Sequence, residues 1–153
     1  MEIVDILTRA HVSIDVHVAS KKAALEELAR LGASNIQSLT PAQAFDSLVL
    51  RERLGSTGLG NGIAIPHGRI GRLEHTVGAF IRTVEGVDFD SIDGTPVNLF
   101  FALFVPVETT EEHLAILAKL AEVFSNEPLV DELRRSLSSN DIHDLLVGSS
   151  VAQ

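Results

Sequence analysis

The hydrophobic pattern near the start of the chain has a period of two. From Val12 to Val18, four aliphatic residues alternate with Ser, Asp and His, which is typical of a half-buried β-strand. Val77 to Val84 is also predicted to be a strand, and a turn is expected after it at Glu85-Gly86. Val97 to Val105 is apolar on both faces. Because continuous apolar strands occur where a sheet is covered on both sides, this run predicts a central strand.

Helical signals separate and follow these strands. Ser20 is a candidate N-cap for a helix from Lys21 to Leu31, which Gly32 is expected to end. The run Thr40-Pro41-Ala42-Gln43 combines an N-cap hydroxyl, a proline in the first turn and a capping-box glutamine. It predicts a helix that continues to about Leu54.

The last third of the chain is predicted to be helical. The run Thr109-Thr110-Glu111-Glu112 forms a capping box before a helix with one apolar face. We expect that face to comprise Leu114, Leu117, Ala118, Ala121 and Phe124. Shorter helices are predicted at about Pro128–Leu137 and Asp141–Val147. The elements together predict an α/β fold, with a mixed sheet of about four to five strands between helices on both faces.

Composition limits the classes of protein that fit. The 153 residues suit a single domain, which we take as residues 1–153. There are no cysteines, and the 12 Lys and Arg residues against 21 Asp and Glu residues give a formal charge of -9. This charge argues against non-specific binding to nucleic acid or to anionic membranes. Neither a signal peptide nor a membrane-spanning run is recognisable, so we expect a cytoplasmic protein without membrane insertion.

Six of the 11 glycines lie between Gly55 and Gly71. Such a segment lets the backbone approach a ligand and turn its N–H groups towards an anion, phosphate above all. The spacing excludes the common nucleotide loops, because Gly60 is followed by Asn61 and position 63 is Ile. The predicted phosphate-binding residues are Ser56, Thr57, Gly58, Gly60, Asn61, Gly62 and Gly68.

One histidine lies inside the glycine segment. Pro66 restrains the backbone before His67, and Gly68 leaves one side of the imidazole open. A nucleophile or proton-transfer group needs such a rigid and open setting, although a histidine in a glycine-rich surface turn fits the same pattern. The other histidines show no metal-ligand spacing such as HExxH, so no metal is expected.

Positive charge is concentrated at the same place. Four arginines and one acid, Glu52, lie between Arg51 and Arg72, which gives a local charge of +3 within a chain of -9. The planar, permanently charged guanidinium suits a phosphoryl group. Ordinary solvated surface charge remains the alternative for most of these arginines.

The stretch from Arg51 to Arg69, RERLGSTGLGNGIAIPHGR, resembles the active-site segment of enzyme IIA components of the bacterial phosphoenolpyruvate-dependent phosphotransferase system. The type is the fructose/mannitol one, and the chain is most similar to its nitrogen-regulatory branch. The similarity continues through Phe89 to Gly94 and Leu103 to Pro106 as far as His113-Leu114. It is weakest after about Ser125.

The resemblance implies a phosphoryl carrier that works without a cofactor. His67 matches the histidine that accepts the phosphoryl group from a phosphohistidine carrier protein, through Nε2. Arg51 matches the site arginine, and His113 matches the second histidine beside the first. The regulatory branch implies protein targets, potassium-transport and sensor-kinase systems among them, that respond to the phosphorylation state.

Three other functions stay open from the sequence, and the last in rank is an interaction domain in which the glycine segment has no chemical role. A sugar-transport IIA protein would pass the phosphoryl group to a IIB domain. A non-catalytic module would use the glycine segment and the arginines to hold a phosphorylated molecule without a covalent bond.

Overall fold

The computed structural model describes residues 1–108 and 110–151, without the side chains of residues 110, 112, 113, 150 and 151. A short 3-10 turn, Arg9–His11, precedes the first strand. The helices are α1 (Ile3–Ile6), α2 (Lys21–Ala33), α3 (Pro41–Glu52), α4 (Thr110–Phe124), α5 (Glu127–Arg135) and α6 (Ser139–Val151). The strands are β1 (Val12–Val16), β2 (Gly58–Gly60), β3 (Ile63–Ala64), β4 (His67–Ile70), β5 (Val77–Val87) and β6 (Val97–Pro106).

Strand β6 lies at the centre of a mixed sheet. On one side β5 pairs with it antiparallel, and β1 pairs parallel with β5. On the other side β3 and then β4 pair with β6, both parallel, and β2 pairs antiparallel with β3. His67, the first residue of β4, lies opposite Leu103. The candidate nucleophile is therefore attached directly to the central strand.

The apolar run of β6 is explained by burial on both of its faces. Its alternate side chains enter two separate cores, one packed by α2 and α3 and the other by α1, α4, α5 and α6. The first set is Phe100, Ala102 and Phe104, and the second is Leu99, Phe101, Leu103 and Val105. The predicted α/β class, a mixed sheet with helices on both faces, is confirmed.

The sheet has six strands in the described residues rather than four to five, because the glycine segment contributes three short ones. In the sequence of that segment, the run Ile63-Ala64-Ile65 alone has the composition of a short strand. Strand β4, with the sequence HGRI, has a single large apolar residue, and its pairing with β6 rather than its own composition makes it extended. Strand β5 also continues to Val87, so the turn predicted at Glu85-Gly86 is wrong. A register shift between Arg82 and Val87 lets the pairing with β6 resume.

Gly32 lies inside α2 and does not end the helix as predicted. The helix continues to Ala33, and Ser34 follows as its C-cap. A Cβ atom at position 32 would lie 3.0 Å from a ring carbon of Phe104. The glycine therefore allows α2 to pack closely on the sheet.

The apolar face predicted for α4 is mostly not the side that packs on the sheet. The residues of α4 that are buried against the sheet are Ile116, Leu120, Val123 and Phe124. Of the predicted face, Phe124 is buried and Leu117 is half-buried, whereas Leu114, Ala118 and Ala121 are exposed. Helix α4 is apolar on more than one side, so spacing alone did not distinguish the side that faces the core. The capping-box residue Thr109 lies outside the described residues.

None of the described helices has both the length and the apolar character of a membrane span.

Candidate functional site

The imidazole of His67 is half-buried at the start of β4. The preceding residue, Pro66, accepts a hydrogen bond from the backbone N–H of Leu103 at 2.9 Å. The chain is thus bonded to β6 on both sides of the Pro66–His67 peptide, which fixes where the imidazole leaves the sheet.

Hydrogen bonding assigns the tautomer of His67. Its Nδ1 lies 3.0 Å from the carbonyl oxygen of Ile65, and since a carbonyl can only accept, Nδ1 carries the proton. The Nε–H of Arg51 donates to Nε2 of His67 at 3.2 Å. Nε2 therefore holds the lone pair, and it points towards the cation.

Arg51 is placed by the last turn of α3. Its Nη1 donates to the carbonyl oxygen of Gly55 at 2.9 Å, so the guanidinium is held from two directions. Helix α3 starts with the predicted capping box, in which the Thr40 hydroxyl accepts the N–H of Gln43 and the Gln43 side chain accepts the N–H of Thr40. The predicted capping of this helix is confirmed.

Gly68 determines how close α3 comes to β4. A Cβ atom at this position would lie 2.7 Å from the backbone carbonyl carbon of Ser47 on α3. Only a residue without a side chain fits there, and the close packing lets Arg51 reach the imidazole. This is a packing role for Gly68, beside the phosphate-binding role that the sequence suggests.

Electrostatics keep His67 neutral. Burial lowers the pKa of His67 below its ordinary value of 6.5, and the nearby charges of Arg51 and Arg69 lower it further. The hydrogen bond to Ile65 and the charge of Glu52 oppose this shift without cancelling it. At neutral pH the imidazole is therefore uncharged, as a nitrogen nucleophile must be.

Two surface hollows adjoin the Arg51–His67 pair. The first has a volume of about 330 Å³ and lies towards α3 and Arg69, with Leu50 and Leu54 in its wall. The second, about 340 Å³, lies between residues 56–59 and helix α4. From α4 it is lined by Leu117, Ala118 and Ala121. The outward apolar side of α4 thus forms one wall of the site.

The predicted phosphate-binding residues divide into three groups. Ser56, Thr57 and Gly58 line the second hollow together with His67, and Gly68 lines the first. Among the described residues, Gly60, Asn61 and Gly62 line neither of these two hollows.

Backbone N–H groups of the glycine segment already have acceptors within the protein. The N–H of Thr57 donates to Glu52, that of Gly58 to the Ser56 hydroxyl at 3.0 Å, and that of Asn61 to Asp93 at 2.8 Å. Phosphate binding by these three groups would require a change of partner. Their role stays a prediction.

The third predicted catalytic residue, His113, falls within α4, but its side chain lies outside the part of the chain that the structure describes. Its position beside His67 and its role stay predictions.

Sequence reasoning missed Glu52 as part of the site. Its side chain is only 5% exposed, and its carboxylate forms an ion pair with Lys21 at 3.0 Å. One signal was available, because Glu52 is the single acid among the four arginines of the segment. Lys21 gave no such signal, since it lies 31 positions earlier in the sequence.

Comparison with known proteins shows the family of the chain. The family model "Phosphoenolpyruvate-dependent sugar phosphotransferase system, EIIA 2" matches residues 5–148, and the chain belongs to this family. The chain is a phosphotransferase-system IIA protein with nitrogen-regulatory relatives. It is 39% identical to a nitrogen regulatory protein of Pseudomonas aeruginosa over 142 residues, covering 93% of this chain and 92% of that protein. A fructose-specific EIIA component of Haloferax volcanii is 33% identical, with coverages of 95% and 97%.

Solved structures show the same architecture. The crystal structure of nitrogen regulatory protein IIA-Ntr from Neisseria meningitidis matches with a TM-score of 0.88 and 45% identity, covering 93% of this chain and 97% of that one. The crystal structure of mannitol IIA from Escherichia coli has the same fold, with a TM-score of 0.77 at 22% identity and coverages of 92% and 98%.

Proposed function

We propose that this chain is a phosphoryl carrier whose His67 accepts a phosphoryl group, through Nε2, from a phosphohistidine carrier protein. We further propose that its phosphorylation state regulates target proteins, as the nitrogen-regulatory names of its relatives suggest. The observation that carries the proposal is the state of the imidazole: Nδ1–H donates to Ile65, and the Nε2 lone pair points towards Arg51.

The transfer needs no metal to generate the nucleophile. The Nε2 lone pair of His67 attacks phosphorus, a new N–P bond forms, and the N–P bond of the donor histidine breaks with its electron pair returning to the donor nitrogen. The phosphorylated ring keeps its Nδ1 proton and gains positive character. The carbonyl of Ile65, 3.0 Å from Nδ1, stabilises that charge.

Arg51 supplies the positive charge that the transferring group requires. The phosphoryl group spreads negative charge over three oxygens, and positioned cationic donors account for much of the catalysis of such transfers. In the free protein the Nε–H of Arg51 occupies the line along which Nε2 must attack. The guanidinium must therefore turn from the ring nitrogen to the phosphoryl oxygens when the donor binds.

The surroundings of the site suit a protein donor. Leu50 is 65% exposed, Leu54 83% and Leu59 49%, and all three line the hollows beside His67. Exposed apolar side chains around a polar centre are typical of protein–protein contact surfaces. A small phosphorylated metabolite would not need these exposed apolar side chains for binding.

A phosphorylation assay tests the proposal. The purified chain is incubated with phosphoenolpyruvate and the general phosphotransferase proteins, and its intact mass is measured with and without acid treatment. Wild type and the exposed control His75→Ala should gain one acid-labile phosphoryl group, and His67→Ala none. Labelling of His67→Ala to the wild-type level would refute the assignment, and reversible binding without a gain in mass would indicate the non-covalent phosphate module.

A sugar-transport role is the second candidate, because one relative at 33% identity is a fructose-specific EIIA component. The phosphorylated chain is mixed with isolated fructose-type and mannitol-type IIB domains, and loss of its phosphoryl group is followed. Rapid transfer to a IIB domain would favour transport. Retention of the group, together with target proteins that bind only one phosphorylation state, would favour regulation.

A further inference from the structure

The residues Arg51 and Glu52 are neighbours in the sequence, but their side chains have different partners. Arg51 contacts Nε2 directly. Glu52 turns into the protein, where its side chain is 5% exposed. Burial of a carboxylate is costly unless the charge is paired and hydrogen-bonded. The hydrogen-bond and ion-pair partners of Glu52 therefore indicate its structural role.

The carboxylate of Glu52 holds Thr57 at two points. The backbone N–H of Thr57 lies 3.2 Å from each oxygen of the carboxylate, and the Thr57 hydroxyl donates to one of them. Nζ of Lys21 neutralises the carboxylate at 3.0 Å and also lies 3.4 Å from Asp90. The hydrogen bonds that the Glu52 carboxylate accepts from Thr57 thus hold a residue in the wall of the second hollow.

Thr57 is connected to the other side of the imidazole. Its carbonyl oxygen accepts the backbone N–H of Ile65 at 3.0 Å. The carbonyl of Ile65 in turn accepts Nδ1–H of His67 at 3.0 Å. A chain of hydrogen bonds therefore runs from Glu52 through Thr57 and Ile65 to Nδ1.

We propose that Glu52 is a positioning residue for phosphoryl transfer at His67: by fixing Thr57 and Ile65, it holds the Nδ1 proton in place and keeps the lone pair on Nε2. The proposal rests on the phosphoryl-carrier function. Arg51 and Glu52 then orient both ring nitrogens, one directly and one through two backbone groups. Lys21 compensates the charge of Glu52, so that the carboxylate does not repel the incoming phosphoryl group.

A purely structural ion pair makes a different prediction. It would lower stability when broken, but it would leave the tautomer of His67 and the transfer rate of the folded protein unchanged. The tautomer of His67 therefore distinguishes the two roles. It is measured by ¹⁵N NMR of the two imidazole nitrogens.

Three variants test the proposal. Glu52→Gln removes the charge, Thr57→Val removes the hydroxyl at nearly constant shape, and Thr57→Ser retains it. The matched control is Glu122→Gln, which removes a carboxylate from an exposed position on α4. Single-turnover transfer from the phosphorylated carrier protein and imidazole ¹⁵N spectra are measured on each folded protein.

We expect Glu52→Gln and Thr57→Val to slow single-turnover transfer by on the order of 10–100-fold, because small misplacements of a reacting group have effects of this size. The apparent affinity for the donor should stay unchanged, and the ¹⁵N spectra should show a smaller Nδ1–H fraction. Thr57→Ser should restore most of the rate that Thr57→Val loses, because serine keeps the hydroxyl, and Glu122→Gln should behave like wild type. In Glu52→Gln the pKa of His67 should also fall, since the charge of Glu52 raises it.

Wild-type transfer rates and tautomer populations in folded Glu52→Gln and Thr57→Val would overturn the proposal. If Glu52→Gln does not fold, the comparison of Thr57→Val with Thr57→Ser decides alone. If the wild type accepts no phosphoryl group at all, the proposed function fails. The tautomer populations still decide whether Glu52 orients His67.

Discussion

The Nε–H of Arg51 donates to Nε2 of His67 over 3.2 Å, so a permanent cation lies at the nitrogen that carries the lone pair. This contact has two consequences for chemistry. It favours the neutral ring, and it places the guanidinium where a phosphoryl group attached to Nε2 would lie. In the proposed transfer the same arginine would prepare the nucleophile and bind the group that the nucleophile receives.

Replacing Arg51 with Gln should slow phosphoryl transfer to His67 by about 10²-fold, the usual effect of removing one donor that stabilises transition-state charge. The pKa of His67 should rise in the same variant, because the charge of Arg51 lowers it. Rapid-quench kinetics and an NMR titration of the imidazole measure the two effects. Arg53→Gln, an exposed arginine two positions along the chain, is the control. Equal effects of both substitutions would contradict a specific role for Arg51.

Acid should slow phosphoryl acceptance before it unfolds the protein. The pKa of His67 is lowered from 6.5, so the rate should be constant from neutral pH to below 6.5 and then fall as Nε2 becomes protonated. A pH profile of single-turnover transfer measures this. A profile that already falls above 6.5 would show that another group controls the reaction.

The lowered pKa of His67 also makes stability depend on pH. Between the folded-state pKa and 6.5 the unfolded chain binds more protons than the folded one, so the free energy of unfolding decreases as pH falls through this window. Urea unfolding at about pH 7.5 and about pH 5.5, in wild type and His67→Gln, isolates the contribution. The variant should lose less stability between the two values. His75→Ala should retain the wild-type dependence.

Gly68→Ala should destabilise the protein by about 1–3 kcal/mol, the cost of forcing an extra carbon into a packed site. The new Cβ would lie 2.7 Å from the backbone of Ser47, so α3 must move away from β4. Arg51 moves with α3, and transfer should slow as well. Gly71→Ala is the matched control, because nothing lies within 4 Å of a Cβ at that position. Denaturant unfolding and transfer kinetics are compared, and similar results for the two variants would refute the packing role.

A negative charge on the outward side of α4 should impair recognition of the phosphorylated donor. Ala118 lines the second hollow, so Ala118→Glu places a carboxylate beside the site at which the proposed donor would deliver the phosphoryl group. We expect KM for the donor to rise on the order of tenfold through like-charge repulsion, at unchanged stability. Ala115→Glu adds the same charge to an exposed position of the same helix. An identical change in KM for both variants would mean that the effect is general rather than local.

Much of the fold could be predicted from the sequence because its main signals are local. The apolar run of β6 reflects burial on two faces, and the cap at Thr40 fixes the start of α3. His67 and Arg51 were found because they lie in one continuous stretch of glycines and arginines. Their contact at 3.2 Å connects positions only 16 residues apart.

Features that depend on distant partners were not predictable in this way. Strand β4 is extended because β6 pairs with it, and the buried Glu52 is stabilised by Lys21 from another helix. The residues predicted as the apolar face of α4 lie mostly on its outward side, because an apolar side chain that lines a surface hollow has the same spacing as one that packs on a sheet. These features depend on tertiary contacts, which the local sequence pattern does not contain.

The pairing of β4 with β6 determines what could be transplanted from this protein. A synthetic peptide of residues 51–69 would contain Arg51, Glu52, Thr57, Ile65 and His67, and hence the hydrogen-bonding groups that orient the imidazole. It would lack the strand Val97–Pro106, with which the strand that begins at His67 pairs. Transfer of this site to another protein scaffold would therefore require a buried parallel strand equivalent to β6 as well as the glycine segment.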